Sequence, residues 1–124
     1  MYCEVSELLG KTLVSITGAK EGYDEIIFEC SDGSKYRMFH DQECCESVLI
    51  EDICGDANSL VGNPLTMAED ISNIMGNPGV VDEWVSCTWT WYKFATVKGY
   101  VTIRWYGESN GYYSESVDFE KMED

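Results

Sequence analysis

The chain has 124 residues and a mass of 14.0 kDa, which is enough for one domain with a hydrophobic core and too short for two ordinary domains. With 44% hydrophobic and 13% aromatic residues, the composition excludes intrinsic disorder. Eight basic residues against 23 acidic ones give a formal net charge of −15, which argues against direct binding to nucleic acid or to an anionic membrane surface. No apolar run reaches the roughly 18 to 20 residues of a membrane span, so we expect no membrane partner.

The N-terminal residues and the six cysteines both favour a cytosolic protein. Residues 1–13 contain no basic stretch followed by an apolar run, so we expect no signal peptide. Several cysteines lie within apolar strand patterns and none are spaced as Cys-x-x-Cys, which favours reduced, mostly structural thiols over a disulfide framework. The six are Cys3, Cys30, Cys44, Cys45, Cys54 and Cys87.

The first half of the chain carries the patterns of short strands. Residues 12–17 are largely apolar and bounded by glycines, and residues 24–30 and 35–40 alternate on either side of Asp32 and Gly33. Because Asp-Gly supplies the positive φ angles of a tight turn, these last two segments are predicted to form a hairpin. In each strand of this hairpin alternate side chains share one side, namely Ile26, Phe28 and Cys30 in the first and Tyr36, Met38 and His40 in the second.

The middle of the chain contains one further strand and several turn signals. Asp56 is placed to cap a short helical turn that runs through Leu60. Residues 65–71 fit either a strand or a helix, and residues 72–80, with two glycines and Asn-Pro, predict a flexible loop. Residues 46–53 predict a strand whose candidate core residues are Val48, Ile50 and Ile53.

The last third of the chain gives the strongest strand pattern. Residues 85–97 are rich in aromatic and β-branched side chains, and residues 98–99 can turn the chain into a second strand over residues 100–106. A further turn at Asn110-Gly111 leads into a third alternating segment at residues 112–119. These segments predict a three-stranded antiparallel meander.

The elements together predict a single domain over residues 1–124. Its class is mainly β, either all-β or α+β with little helix. Seven or eight strands favour a curved antiparallel sheet, or a small sandwich or barrel, that ends in the C-terminal meander.

The negative charge is concentrated in the middle of the sequence. Between Arg37 and Lys93 there is no lysine or arginine, and this interval holds ten acidic residues. Such an excess produces a negative surface potential that attracts basic partners, and it also serves solubility. The candidate partner-binding residues are Glu43, Glu46, Glu51, Asp52 and Asp56.

Residues 40–46, with the sequence HDQECCE, gather metal-ligating and nucleophilic side chains. His40, Cys44 and Cys45 are candidate metal ligands, and His40 with either cysteine is a candidate base with its nucleophile. Adjacent strand residues point to opposite faces, however, and the chain contains a single histidine. A loop-fixing role, a metal site and a catalytic site are the three alternatives, and no cofactor is predicted.

Aromatic side chains cluster in the last third of the chain. Strand alternation sends some of them into the core and leaves Tyr100, Arg104, Tyr106 and Tyr112 on the outer face. Tyrosine and arginine are frequent in binding hot spots, and such a face can also stack a nucleobase while an arginine holds phosphate. The alternative is cross-strand pairing that only stabilises an exposed sheet.

Two long segments, residues 24–56 and 88–119, contain a Ser-Asp-Gly hairpin, a His-x-Gln-x-Cys-Cys-Glu segment and a C-terminal Gly-Tyr-Tyr-Ser-Glu hairpin. In these motifs the chain resembles a family of small uncharacterised bacteriophage and prophage proteins, over residues 8–119. The resemblance implies a phage or prophage origin and a β-rich fold, and it carries no established activity. The residues that stand at the Cys-Cys signature are His40, Gln42, Cys44, Cys45 and Glu46.

The leading hypothesis is a phage-type, non-enzymatic inhibitory or interaction protein. It would bind a basic surface of a host nucleic-acid-handling defence protein in the host cytosol, with its carboxylates mimicking a nucleic-acid backbone. A second hypothesis is a small-ligand binder that sequesters a signalling nucleotide at the tyrosine and arginine face. A third is a metal-dependent enzyme built around His40, Cys44 and Cys45. A homodimer through exposed strand edges or outward tyrosines is left open.

Overall fold

The computed structural model describes residues 2–76, 86–109 and 114–122, which form eight strands and two 3-10 turns. The turns span Val5–Leu8 and Ala57–Leu60. The strands are β1 (Leu13–Thr17), β2 (Glu25–Cys30), β3 (Lys35–Phe39), β4 (Ser47–Cys54), β5 (Met67–Gly76), β6 (Ser86–Thr96), β7 (Gly99–Ser109) and β8 (Asp118–Met122). The predicted mainly β class is confirmed.

The strands form two four-stranded sheets in which all neighbours are antiparallel. The first sheet has the order β1-β2-β3-β8 and the second sheet the order β4-β7-β6-β5. Neither sheet closes into a barrel, and the two share one hydrophobic core. Across that core the rings of Phe28 and Phe94 lie 5.7 Å apart, and Trp105 Nε1 donates to Met38 Sδ at 3.2 Å. Of the forms that the sequence left open, the structure has the open two-sheet sandwich.

The β2–β3 hairpin forms where the sequence predicts it. Gly33 has a φ of +89°, and Asp32 Oδ1 accepts the Ser34 amide at 2.9 Å, so the turn uses both residues of the Asp-Gly pair. The register pairs Ile26 with Met38 and Phe28 with Tyr36, and these four side chains are buried.

The predicted strand and cap in the middle of the chain are also confirmed. Val48 and Ile50 on β4 are buried, and Ile53 is partly buried against the core. Asp56 accepts the Asn58 amide at 3.0 Å and so caps the Ala57–Leu60 turn.

The segment predicted as a flexible loop begins as a strand. Within residues 65–71 the strand begins at Met67, so the strand alternative is correct from there on. β5 continues through residues 72–76, where the loop prediction is wrong, and residues 77–80 lie outside the described residues. The reason is that β5 pairs with β6 along its entire length, from Met67 opposite Ala95 to Gly76 opposite Ser86. This cross-strand pairing outweighs the local turn preference of asparagine and glycine.

The C-terminal meander is present with a different third strand. The β6–β7 hairpin forms as predicted, and its alternation buries Val101, Ile103 and Trp105 completely. The observed meander, however, consists of β5, β6 and β7. The segment predicted as its third strand, residues 112–119, instead leads into β8, which pairs with β3 in the first sheet. Phe119 of β8 stacks on Tyr36 of β3 at 5.4 Å, and this long-range contact places the strand. The predicted turn at residues 110–111 lies outside the described residues.

Candidate functional site

The loop of residues 40–46 links β3 in the first sheet to β4 in the second and folds around the carboxylate of Glu46. Glu46 Oε2 accepts the Glu43 amide at 2.9 Å and lies 2.7 Å from His40 Nε2. Glu46 Oε1 accepts the Cys44 amide at 2.8 Å and Gln42 Nε2 at 3.2 Å. The Glu46 side chain is completely buried, so these four donors take the place of water around its charge.

The hydrogen bonds of His40 require a charged imidazolium. Nδ1 lies 2.7 Å from the Ser116 carbonyl oxygen and Nε2 lies 2.7 Å from Glu46. Since a carbonyl and an ionised carboxylate only accept, both ring nitrogens carry a proton. Burial opposes that charge, but the bonds to Glu46 and Ser116 outweigh burial and raise the pKa of His40 above its ordinary value. Burial likewise opposes the Glu46 carboxylate, and its bonds from His40 and the two loop amides lower the pKa of Glu46 to about 2.

This arrangement binds the loop to both sheets, because His40 also reaches Ser116 in the segment before β8. Both ring nitrogens of His40 and both oxygens of Glu46 are occupied, which leaves neither side chain an open position for a metal or a substrate proton. In the described ranges, no group of three or more histidine, cysteine, aspartate or glutamate side chains is placed to hold a metal ion. The geometry of residues 40–46 is that of a loop-fixing network.

Cys44 and Cys45 are bonded to each other as a vicinal disulfide, which corrects the prediction of reduced thiols at these two positions. The physical reason is that both residues lie in a bend of the loop, where the alternation of a strand does not separate their side chains. Cys3, Cys30 and Cys54 are thiols, as predicted. Both bonded cysteines are exposed, and only the backbone amide of Cys44 takes part in the hydrogen bonds to Glu46.

The five acidic residues predicted to bind a partner do not form one surface patch. Glu46 is buried and unavailable to a partner, which removes it from that set. Glu43 lies before β4 and Asp56 lies after it, so the length of an eight-residue strand, roughly 25 Å, separates them. Glu51 and Asp52 lie together on β4, 2.7 Å and 3.9 Å from the Arg104 guanidinium.

The outer face of the second sheet carries a continuous band of apolar and aromatic side chains, which we call the aromatic face. It crosses all four strands and consists of Leu49, Ile71, Trp89, Trp91 and Tyr106. In the register, Leu49 and Trp89 both lie opposite Tyr106, and Ile71 lies opposite Trp91. The rings of Trp89 and Tyr106 are 5.0 Å apart. Leu49 is 40% exposed and Ile71 is 47% exposed, and the three aromatic side chains are partly exposed.

The tyrosine and arginine residues predicted for the outer face are there as far as the structure describes them. Tyr100 is 65% exposed, Arg104 and Tyr106 lie on the same face, and Tyr112 is outside the described residues. The Arg104 guanidinium is occupied by Glu51, as noted above. The Tyr106 hydroxyl donates to Glu108 at 3.1 Å, and burial together with this bond raises the pKa of Tyr106 to about 12. Acidic neighbours therefore contact both groups expected to hold a nucleotide, and Arg104 Nε is buried without a hydrogen-bond partner.

The sequence reasoning missed the residues that complete the aromatic face. Trp89 and Trp91 carried a usable signal, because they alternate with buried Thr90 and Tyr92 and so face outwards. No sequence pattern indicated that Leu49 and Ile71 belong to this face, because their position depends on β4 and β5 flanking the β6–β7 hairpin.

In the three described ranges, no helix has the length and apolar character needed to cross a membrane. Comparison with curated proteins and with solved structures gives no significant match. Residues 6–119 match a family described as a domain of unknown function, DUF7448, and the chain therefore belongs to that family.

Proposed function

We propose that the protein is a non-enzymatic binding protein that docks its aromatic face onto a basic surface of another protein. The observation that carries this proposal is the band of partly exposed Trp89, Trp91 and Tyr106 beside exposed Leu49 and Ile71. Tryptophan and tyrosine dominate binding hot spots, and contiguous exposed apolar patches on small proteins mark interaction sites. Leu49 and Ile71 pair with Tyr106 and Trp91 and extend the apolar band onto the outer strands, where both remain exposed.

The charges around the aromatic face set the chemistry of the partner. Exposed Glu51, Glu69 and Glu108 lie on or beside the face. Its two basic residues are each opposed by an acid, Arg104 by Glu51 at 2.7 Å and Lys93 by Glu69 in the register. The face therefore has an apolar centre and a negative rim, which complements a partner with apolar anchors and lysine or arginine around them.

A depression beside Tyr106 gives the face a place for an anchoring side chain. It has a volume of about 190 Å³ and is lined by Leu49, Glu51, Tyr106 and Glu108, among others. Its lining is mainly apolar and includes the carboxylate residues Glu51 and Glu108, which suits the aliphatic stem and charged end of a lysine or arginine.

The wider biological setting is part of the same proposal. The partner class is a basic, nucleic-acid-handling defence protein of a bacterial host, met in the host cytosol, and the protein acts on it as a phage-type inhibitor. The net charge of −15 and the resemblance of the sequence to phage and prophage proteins support this setting. The enzyme and nucleotide-binder hypotheses have less support, because the His40–Glu46 pair and the Arg104–Glu51 pair use the groups that those functions need.

The test is affinity capture from a bacterial lysate with a matched set of variants. The bait proteins are the wild type, Trp91→Thr, Ile71→Thr and, as the control, Val14→Thr, which changes an exposed β-branched residue on the first sheet. Each bait is first shown by thermal unfolding to be folded. We expect a basic protein to be retained by the wild type and by Val14→Thr, to be lost from both aromatic-face variants, and to dissociate as salt is raised. Equal retention on all four baits, or no enrichment of a basic protein, contradicts the proposal.

A further inference from the structure

A second feature of the molecule is a cavity that opens between the two sheets, where β5 faces β8 and the N-terminal segment. Its volume is about 230 Å³, below the roughly 300 Å³ at which sites for drug-sized ligands begin. Three carboxylates line it from separate parts of the chain, Glu4 before the first 3-10 turn, Asp70 on β5 and Asp118 on β8. We call it the acidic cavity.

The hydroxyl of Tyr92 belongs to this cavity and has no hydrogen-bond partner among the described residues. Tyr92 is 4% exposed, and the part of its hydroxyl surface that stays accessible opens into the cavity. Burial, and then the charges of Asp70, Asp118 and Glu4, raise the pKa of Tyr92. The three carboxylates thus act on the same buried hydroxyl. The hydroxyl is therefore available to donate to or accept from a ligand that enters the cavity.

The charge of the cavity is not neutralised within the described structure. In the ion pairs of the described residues, Lys11, Lys35, Arg37 and Arg104 contact other acids, and none reaches Glu4, Asp70 or Asp118. The Glu4 side chain makes no capping bond to the turn that follows it. Asp118 Oδ2 accepts the Asp41 amide at 3.0 Å, which leaves its other oxygen for a ligand.

The walls and the spacing of the carboxylates favour an organic cation over a metal ion. The described residues contain no group of three acidic, histidine or cysteine side chains close enough to hold a metal, so the three carboxylates do not converge on one point. Tyr2, Tyr92 and Phe119 are among the lining residues, and aromatic rings attract diffuse organic cations. We propose that the acidic cavity binds a guanidinium or alkylammonium group, held by Glu4, Asp70 and Asp118 and by the Tyr92 hydroxyl.

Two sources can present this chemistry, an arginine or lysine side chain of a protein and a free polyamine. The proposal does not depend on the aromatic face. Asp70 lines the cavity, whereas its neighbour Glu69 lies opposite Lys93 on the outer face of the second sheet. Because Asp70 and Glu69 lie on opposite faces of β5, Glu69→Gln is a matched control for Asp70→Asn, and both substitutions change the net charge equally.

The experiment is an NMR titration of the full ¹⁵N-labelled chain at constant ionic strength. The probes are Nα-acetyl-arginine amide, which presents the side chain as a protein does, spermidine, and MgCl₂. We expect saturable shifts of the Cys3, Asp70 and Phe119 amides with the organic cations. We further expect Asp70→Asn and Tyr92→Phe each to raise the dissociation constant at least about fivefold, with Glu69→Gln within about twofold of wild type. Tighter binding of the arginine derivative assigns the site to a protein side chain, and tighter binding of spermidine assigns it to a free polyamine.

Three results overturn the proposal. The first is equal weakening by Asp70→Asn and Glu69→Gln, which would indicate attraction to diffuse charge alone. The second is saturation of the same amides by Mg²⁺ at lower concentration than by either organic cation. The third is the absence of saturable shifts at the cavity in a folded wild-type sample. None of these results bears on capture of a partner by the aromatic face.

Discussion

Replacing His40 by alanine removes the imidazolium that faces the buried Glu46 carboxylate. The wild-type side chain is 3% exposed and makes two hydrogen bonds of 2.7 Å, one to Glu46 and one to the Ser116 carbonyl oxygen. In the variant, the Ser116 oxygen loses its donor and the carboxylate loses its counter-ion. The link from the loop of residues 40–46 to the segment before β8 is lost as well.

The size of the effect follows from what remains around the carboxylate. Removing one partner of a buried ion pair costs about 3–5 kcal/mol. In the variant, Gln42 Nε2 and the amides of Glu43 and Cys44 still donate to the Glu46 carboxylate, so its charge keeps three hydrogen bonds. We therefore expect His40→Ala to lower the free energy of unfolding by about 3 kcal/mol, which is the lower end of that range. For a domain of this size the melting temperature then falls by roughly 10 °C.

Urea and thermal unfolding at pH 5.5, followed by circular dichroism, measure this difference. The control is Glu43→Ala, which removes an exposed carboxylate from the same loop and keeps the amide that binds Glu46. An exposed substitution of this kind is expected to change stability by less than about 0.5 kcal/mol. A loss of less than about 1 kcal/mol in His40→Ala would mean that the His40–Glu46 network does not stabilise the fold.

Three further outcomes can be checked on the same protein. The pKa of Glu46 lies below its ordinary 4.5, so its contribution to stability is present above pH 4.5 and is lost as the pH falls towards 2. The pKa of His40 lies above its ordinary 6.5, so its contribution is present below pH 6.5 and is lost as the pH rises through the folded-state value. The pair should therefore stabilise the fold most between about pH 4.5 and 6.5, and a flat difference between the unfolding curves of wild type and His40→Ala across pH 3–9 contradicts this. Gly18 and Gly33 share a φ of +89°, but a Cβ at Gly18 would collide with the Glu25 carbonyl while Gly33 has open space. We expect Gly33→Ala to lower the free energy of unfolding by about 1 kcal/mol, and Gly18→Ala to lower it by at least about 2 kcal/mol more. Urea unfolding measures both values, and equal losses would exclude the collision. Burial and a hydrogen bond to Glu7 raise the pKa of Cys3 to about 12, so iodoacetamide at pH 8 should alkylate exposed Cys54 well before Cys3, and mass mapping showing the reverse order contradicts this.

The sequence predicted those parts of the fold that depend on near neighbours. The β2–β3 hairpin follows from the Asp-Gly turn between two alternating strands, and the burial of Val101, Ile103 and Trp105 follows from the period of a strand. The pairing of β8 with β3 was not predictable in this way. It depends on Phe119 stacking on Tyr36, 83 residues away, and nothing near Phe119 in the sequence indicates that partner.

The candidate sites could likewise be predicted only where they depend on near neighbours in the sequence. Residues 40–46 were recognised as an unusual cluster, but the burial of Glu46 was not foreseen, because an acidic residue is normally exposed. Its burial depends on the simultaneous placement of His40 and two loop amides around it. Three of the five residues of the aromatic face, Trp89, Trp91 and Tyr106, could be placed by strand alternation. The acidic cavity could not be predicted, because its three carboxylates come from distant parts of the chain.

The position of β8 also governs the order in which the protein can be completed during synthesis. The second sheet has all four of its strands once residue 109 has been made, whereas β3 lacks its second neighbour until residues 118–122 follow. Until then a nascent chain presents the open hydrogen-bonding edge of Lys35–Phe39, a segment made some 80 residues earlier. Such an edge is a template for wrong pairing with other chains. A released chain that ended between these two points would therefore hold all four strands of the second sheet beside an association-prone edge of the first.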